Sequence, residues 1–179
     1  MNALPVISHR GLAFLAREEA LVTVGFLDDG TPAIGYSHHG LGIVPGVVWT
    51  QEQALAQMIT DCEVCATVLS RAINQPVMQT CWDALISLAY NLGPGTVSRS
   101  PLAVALAKGD LAMASDLFVN SGWRNPARRQ REQTLFWHGD YTSELDGLRL
   151  GQMLLYTSDP HASPKPVPQI VPFPLQLEA

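Results

Sequence analysis

A helix that is apolar over nearly its whole circumference cannot rest on a surface, and the segment from Gln79 to Leu92 is of that kind. Trp82, Leu85, Ile86, Leu88, Ala89 and Leu92 fall on all its sides, and Gly93-Pro94-Gly95 stops it. Such a helix must be wrapped by other elements, and the chain offers them as helices. Thr50-Gln51-Glu52-Gln53 has the form of a capping box. From there Leu55, Met58, Ile59, Cys62, Cys65, Ala66, Leu69, Ala72 and Ile73 follow one helical face as far as Asn74 and Pro76. Ser100-Pro101 predicts a start, with Ser as cap and Pro in the first turn, for a helix over Leu102 to Ala107. Gly109-Asp110 divides it from the next, Leu111 to Val119, and Asn125-Pro126 opens a last helix that closes at Gly139.

The N-terminal part reads differently. Leu4, Ile7, Leu12 and Leu15 predict a short helix from about Ser8 to Glu19. Two segments rich in Val, Phe, Ile and Tyr then flank Asp28-Asp29-Gly30, a hairpin signal. Gly40-Leu41-Gly42-Ile43-Val44-Pro45-Gly46 is loop. The expected fold class is α+β, mainly α: a small hairpin lobe, about 20–48, and a larger helical lobe, about 50–141, joined by the long helix.

At 179 residues, 47% hydrophobic and with a net charge of −5, the chain suits one ordinary globular domain. The missing Lys/Arg excess argues against nucleic acid as partner. Cys62, Cys65 and Cys81 are odd in number and do not form a disulfide framework. Cys62-x-x-Cys65 has no second ligand pair at metal spacing and lies in a helical pattern, so buried reduced thiols are expected and no metal. No run approaches the roughly 20 apolar residues of a membrane span. Pro5, Ser8, His9 and Arg10 interrupt the N-terminal apolar stretch, so the expectation is synthesis in the cytoplasm without a signal peptide.

Glu19 closes a helix and Asp28 lies in the hairpin that follows, so two carboxylates are set to face each other. Cleaving a glycosidic bond needs such a pair, one protonated to donate to the leaving oxygen and one ionised to activate water or attack. The plainer reading is a surface turn at Asp-Asp-Gly and a solvated Glu pair on a helix face. Spacing alone leaves both open.

Glu19, eight residues, Asp28, then Ile34-Gly35-Tyr36-Ser37-His38 resembles the catalytic signature of the phage-type lysozymes, glycoside hydrolase family 24. Asp83-Ala84-Leu85-Ile86-Ser87-Leu88-Ala89-Tyr90-Asn91-Leu92-Gly93 resembles that family's second signature. Trp123 followed by Arg128, Arg129, Glu132, Leu135, Phe136, Gly139 and Tyr141 resembles its third. The blocks are in the family's order over roughly residues 10–141. The departures are Ala20 and Ser37, where the family usually has Gly, a hairpin connection one residue shorter, and Ala33 in place of a catalytic Thr. Thr31 then becomes the candidate to hold the water, since an alanine methyl makes no hydrogen bond.

The resemblance implies a lysozyme-like fold and a muramidase cutting the β-1,4 bond between N-acetylmuramic acid and N-acetylglucosamine in peptidoglycan, as an endolysin does in bacterial lysis. Glu19 would be the general acid and Asp28 the base, nucleophile or stabiliser. His38, Asn91 and Arg128 are expected at the substrate, though Arg128, Arg129 and Arg131 equally suit a solvated face or structural support. No cofactor is required, the cell wall in the periplasm is the place of action, and a monomer suffices. A wall-binding protein on a decayed scaffold and a delivered antibacterial effector are the alternatives. Residues 142–179 form a Pro-rich C-terminal extension, with Pro160, Pro164, Pro166, Pro168, Pro172 and Pro174. It is expected to be extended and polyproline-like, neither helix nor sheet, packed through Ile170, Val171, Phe173 and Leu175 or docked on a protein partner.

Overall fold

In the computed structural model, residues 5–143, 145, 147–163 and 165–175 are described; Leu4, Pro164 and residues 176–179 lie outside them. Among the described residues, seven helices and four strands follow in the order α1 (His9–Glu19), β1 (Leu21–Asp28), β2 (Thr31–Gly35), α2 (Gln51–Ala72), α3 (Gln79–Leu92), α4 (Pro94–Ser98), α5 (Pro101–Ala107), α6 (Leu111–Asn120), α7 (Pro126–His138), β3 (Gln152–Tyr156) and β4 (Gln169–Pro172). Their contacts divide into two units. One holds the N-terminal residues through Leu12 and Cys62–Ser143, the other Ala13–Asp61 and the chain after Ser143.

In the first, helical unit α3 is buried over Cys81–Ala89, as its all-round apolar sequence requires. It packs against α7 and α4, while α6 packs on α7 and α5 on α6, and the Phe118 and Phe136 rings meet at 5.3 Å between centroids. Each Leu or Ile removed from water here is worth roughly 1.5–3 kcal/mol. The helix ends follow local chemistry. The Ser100 hydroxyl accepts from the Ala103 amide at 3.3 Å, and the Asp110 carboxylate from the Met113 amide at 3.0 Å. Gly139 closes α7 at a φ of 68°, a left-handed cap, with its amide on the Leu135 carbonyl at 2.9 Å. Gly93-Pro94-Gly95 does stop α3 but also opens the single-turn α4, because Pro94 presets the first turn.

A buried carboxylate anchors this unit. Asp83, 1% exposed, accepts from the Ser8 amide at 2.9 Å, the Ser8 hydroxyl at 2.5 Å, the Gln79 side chain at 2.9 Å and the Tyr141 hydroxyl at 2.5 Å. Four donors offset the desolvation of the charge and tie both ends of the region to α3. Burial, then Asp83, push the Tyr141 hydroxyl well above its ordinary range. Cys62, Cys65 and Cys81 are buried and not joined in disulfides, and burial raises the Cys81 thiol.

The second unit is built on a four-stranded sheet of order β2-β1-β3-β4. The expectation that the tail avoids sheet is corrected here. β4 runs antiparallel to β3, with Gln152 opposite Pro172 and Leu155 opposite Gln169, and β3 lies parallel to β1. Prolines are tolerated because β4 is an edge strand and Pro172 is its last residue, where a missing amide costs little. Phe173, 6% exposed, is buried behind it, and its amide donates to the Gly151 carbonyl at 2.8 Å. The Tyr36 hydroxyl donates to Met153 Sδ at 3.0 Å, which joins the hairpin to the extension. The long helix begins with the expected reciprocal box: the Thr50 amide donates to Gln53 Oε1 at 2.8 Å and the Gln53 amide to Thr50 Oγ1 at 3.2 Å.

Candidate active site

Glu19 is the last residue of α1, half-buried, and the chain turns at once into β1. The turn is made by Ala20 at a φ of 56°, in the left-handed region. Ser37, in the turn after β2, sits at 58°. These are two of the positions where the sequence departs from Gly, and a Cβ costs about 1 kcal/mol in that conformation. Ala20→Gly and Ser37→Gly should therefore each raise stability by about 0.5–1 kcal/mol, seen as a higher urea midpoint at unchanged slope.

β1 then leaves regular pairing. Val22 is opposite Gly35 and Phe26 opposite Ala33, so residues 23–25 stand against Ile34 alone and bulge outward. Their backbone groups turn to the loop before α2: the Gly25 amide donates to the Val47 carbonyl at 2.7 Å, and the Trp49 amide to Thr23 at 2.9 Å. A Cβ at Gly25 would lie 2.3 Å from the Val44 carbonyl oxygen, so only glycine permits this approach.

Beyond the bulge the hairpin is regular, with Leu27 opposite Pro32 and Asp28 opposite Thr31. Asp29 at φ 46° and Gly30 at 83° form a two-residue turn with both central residues left-handed, as type I′ requires. Opposed residues share a face, with Cβ atoms about 4.5–5.5 Å apart, and alternate residues return to it. Asp28, Thr31, Phe26 and Ala33 therefore share one face. The Asp28 side chain is 45% exposed and Thr31 is exposed, so a carboxylate and a hydroxyl stand side by side at the tip.

Ala33 has no such freedom. It is fully buried with Val22 and Phe26, and Tyr156 of β3 packs against them. Restoring the missing hydroxyl as Ala33→Thr should destabilise by about 1–3 kcal/mol rather than enhance turnover, since it overpacks the cluster and buries a polar group. Thermal unfolding of that variant beside its activity is the check.

His38 is set by a tight turn in which Ile34 and His38 exchange backbone hydrogen bonds of 3.1 and 2.9 Å. Its Nδ1 lies 2.8 Å from Asp61 Oδ2 in α2, while Gln57 donates to the other Asp61 oxygen at 2.9 Å. The Trp49 ring stacks on the imidazole at 5.8 Å. His38 is therefore braced on both sides.

The remaining two candidates belong to the helical unit. Asn91 Oδ1 accepts from Arg129 Nη2 at 3.2 Å. Arg128 is 4% exposed, with Nε donating to Glu132 at 3.0 Å and Nη2 to the Ser87 carbonyl and hydroxyl at 3.2 and 3.3 Å. Arg129, 1% exposed, holds the other Glu132 oxygen at 2.9 Å. A solvated face is overturned for both arginines, and the surroundings of Arg128 are those of structural support, not of a side chain presented to a ligand. Burial pushes the Glu132 carboxyl upward, opposed by the two guanidiniums and the Ser87 hydroxyl.

Sequence reasoning missed His161. Its Nε2 lies 3.7 Å from Asp28 Oδ1, and its ring tilts against Phe26 at 5.6 Å. Its place depends on strands that sequence did not foretell.

The geometry has counterparts in known proteins. The phage lysozyme family model matches residues 16–135. The endolysin of Acyrthosiphon pisum secondary endosymbiont phage 1 is 35% identical over 143 residues, 73% of this chain and 97% of that protein. The endolysin of Salmonella phage P22 is 28% identical over 141 residues, again 73% and 97%. Among solved structures, the muramidase domain of SpmX from Asticaccaulis excentricus superposes with a TM-score of 0.66 at 25% identity, over 73% of this chain and 97% of that one. The family match takes in Glu19, the bulged hairpin, the braced histidine and the Arg-Arg-Glu cluster of α7, so this chain belongs to the phage lysozyme family.

Proposed function

We propose that this glycoside hydrolase degrades peptidoglycan by cutting the β-1,4 bond between N-acetylmuramic acid and N-acetylglucosamine, with Glu19 as general acid and Asp28 as its carboxylate partner. The observation that supports the reading is that Glu19 ends α1 and Asp28 flanks the two-residue turn of the bulged hairpin that follows, both inside the family-matched region. Glu19 would give its proton to the leaving oxygen as the bond breaks. Asp28, ionised, would steer the attacking water or stabilise the oxocarbenium-like transition state, and Thr31 opposite it would help hold that water. His38, fixed by Asp61 and Trp49, would support the substrate-facing turn rather than react. Asn91 would act through Arg129 on the α3–α7 packing.

Endolysin and muramidase relatives favour an enzyme over a decayed scaffold. Among the described residues no helix is long and apolar enough to cross a membrane, and action at the bacterial wall accords with the endolysin relatives. We read residues 1–141 as the domain that carries the catalytic residues, in a monomer. The deciding experiment digests purified peptidoglycan, reduces the new sugar ends with borohydride and identifies them by mass spectrometry. Reduced muramic acid ends are expected; reduced glucosamine ends would refute the bond assignment, and no reducible ends would refute hydrolysis.

A further inference from the structure

The family match ends at residue 135, so the extension lies beyond it, and its side chains return to the hairpin face that carries Asp28. Tyr156 packs on the cluster that contains Ala33, and His161 meets both Phe26 and Asp28. We propose that the C-terminal extension forms one wall of the catalytic site and that His161 is a positioning residue for the Asp28 carboxylate; this rests on the assignment of Asp28 given above.

Independent anchors hold this arrangement. β3 pairs with β1 through Leu155 and Tyr156, next to the site, and β4 fixes β3 from the other side. Thr23, within the bulge, donates its hydroxyl to the Tyr156 carbonyl at 3.3 Å. Between the strands, the Asp159 side chain accepts from the His161 amide at 2.8 Å, and the Asp159 carbonyl from the Ala162 amide at 3.1 Å. That turn leaves the imidazole 59% exposed yet set over the Phe26 ring. An exposed histidine gains little by burying area, so its placement between an aromatic ring and a carboxylate is better explained by what it does to the carboxylate. At 3.7 Å the pair is longer than a direct hydrogen bond, a common state of catalytic contacts before substrate binds. With its proton on Nε2, an imidazole that closed this gap would set an N–H on Oδ1, restrict how the carboxylate turns and leave Oδ2 to the water. The wall also bears on Ala33, which is fully buried in the cluster that Tyr156 packs against.

The test measures kcat and KM on a soluble peptidoglycan fragment for His161→Ala and His161→Gln in the full chain, with unfolding midpoints of both. His161→Ala should lower kcat by about three- to fivefold, the most that a half-exposed pair supplies, with KM and midpoint nearly unchanged. His161→Gln, which keeps an N–H donor, should recover most of the loss. A wild-type kcat in His161→Ala, or equal losses in both variants, overturns the proposal. Asp28→Asn separates the two readings. If it keeps wild-type turnover, the assignment of Asp28 has failed; if it is inactive while His161→Ala is not impaired, only the role of His161 has failed.

Discussion

Replacing Glu132 by alanine should cost about 3–5 kcal/mol of stability, enough to bring a domain of ordinary stability near unfolding at room temperature. The carboxylate is fully buried, and Arg128 and Arg129 are 4% and 1% exposed. Removing it leaves two guanidiniums in a low-dielectric interior without the negative charge between them, and takes an acceptor from the Ser87 hydroxyl, which donates to Glu132 at 2.8 Å. The loss falls on the α3–α7 packing at the centre of the helical unit. Ser87→Ala, which removes the two hydrogen bonds of the hydroxyl and no charge, should cost only about 1–2 kcal/mol. Denaturant unfolding of both variants tests the cluster. A Glu132→Ala protein as stable as the wild type would mean that the arginines do not need this carboxylate.

That cluster also marks the limit of what spacing can tell. Arg128 and Glu132 at i, i+4 are the same letters whether a helix faces water or protein. What decides between them here is Ser87 and α3, brought alongside by packing between segments 45 residues apart. Helix boundaries, by contrast, were legible, because Thr50 with Gln53, Ser100 with Pro101, and Gly139 act through atoms within a turn of themselves. The hairpin tip was legible for the same reason, since Asp29-Gly30 dictates its own turn.

The sheet was only half legible. β1 and β2 are neighbours in sequence, but β3 pairs with β1 in parallel from the far end of the chain, and no local pattern announces such a partner. Six prolines in the tail argued against strand, yet the strand proper is Gln169-Ile170-Val171-Pro172 at an edge. Met153-Leu154-Leu155-Tyr156, a short apolar run after Gly151, was the signal available for β3. Without these strands, Ala33 read as a lost catalytic hydroxyl. With them it is one of the three buried residues on whose cluster Tyr156 packs, and His161 lies beside Asp28.

Glu19→Gln should leave the fold intact and reduce hydrolysis by about 10²–10⁴-fold, the range that a positioned proton donor contributes. The amide matches the carboxyl in size and keeps an acceptor oxygen, but it has no acidic proton to give the leaving sugar, which is the step assigned to this side chain. Glu18, adjacent on the last turn of α1, is the internal control, and Glu18→Gln should remain within a few-fold of wild type. The most direct measurement is the initial rate of reducing-end release from purified peptidoglycan by Glu19→Gln, Glu18→Gln and wild-type protein at equal folded concentration. Loss is expected in the first variant alone. Wild-type rates in Glu19→Gln, above all with activity lost in Glu18→Gln, would contradict it and move the acid to the neighbouring carboxyl.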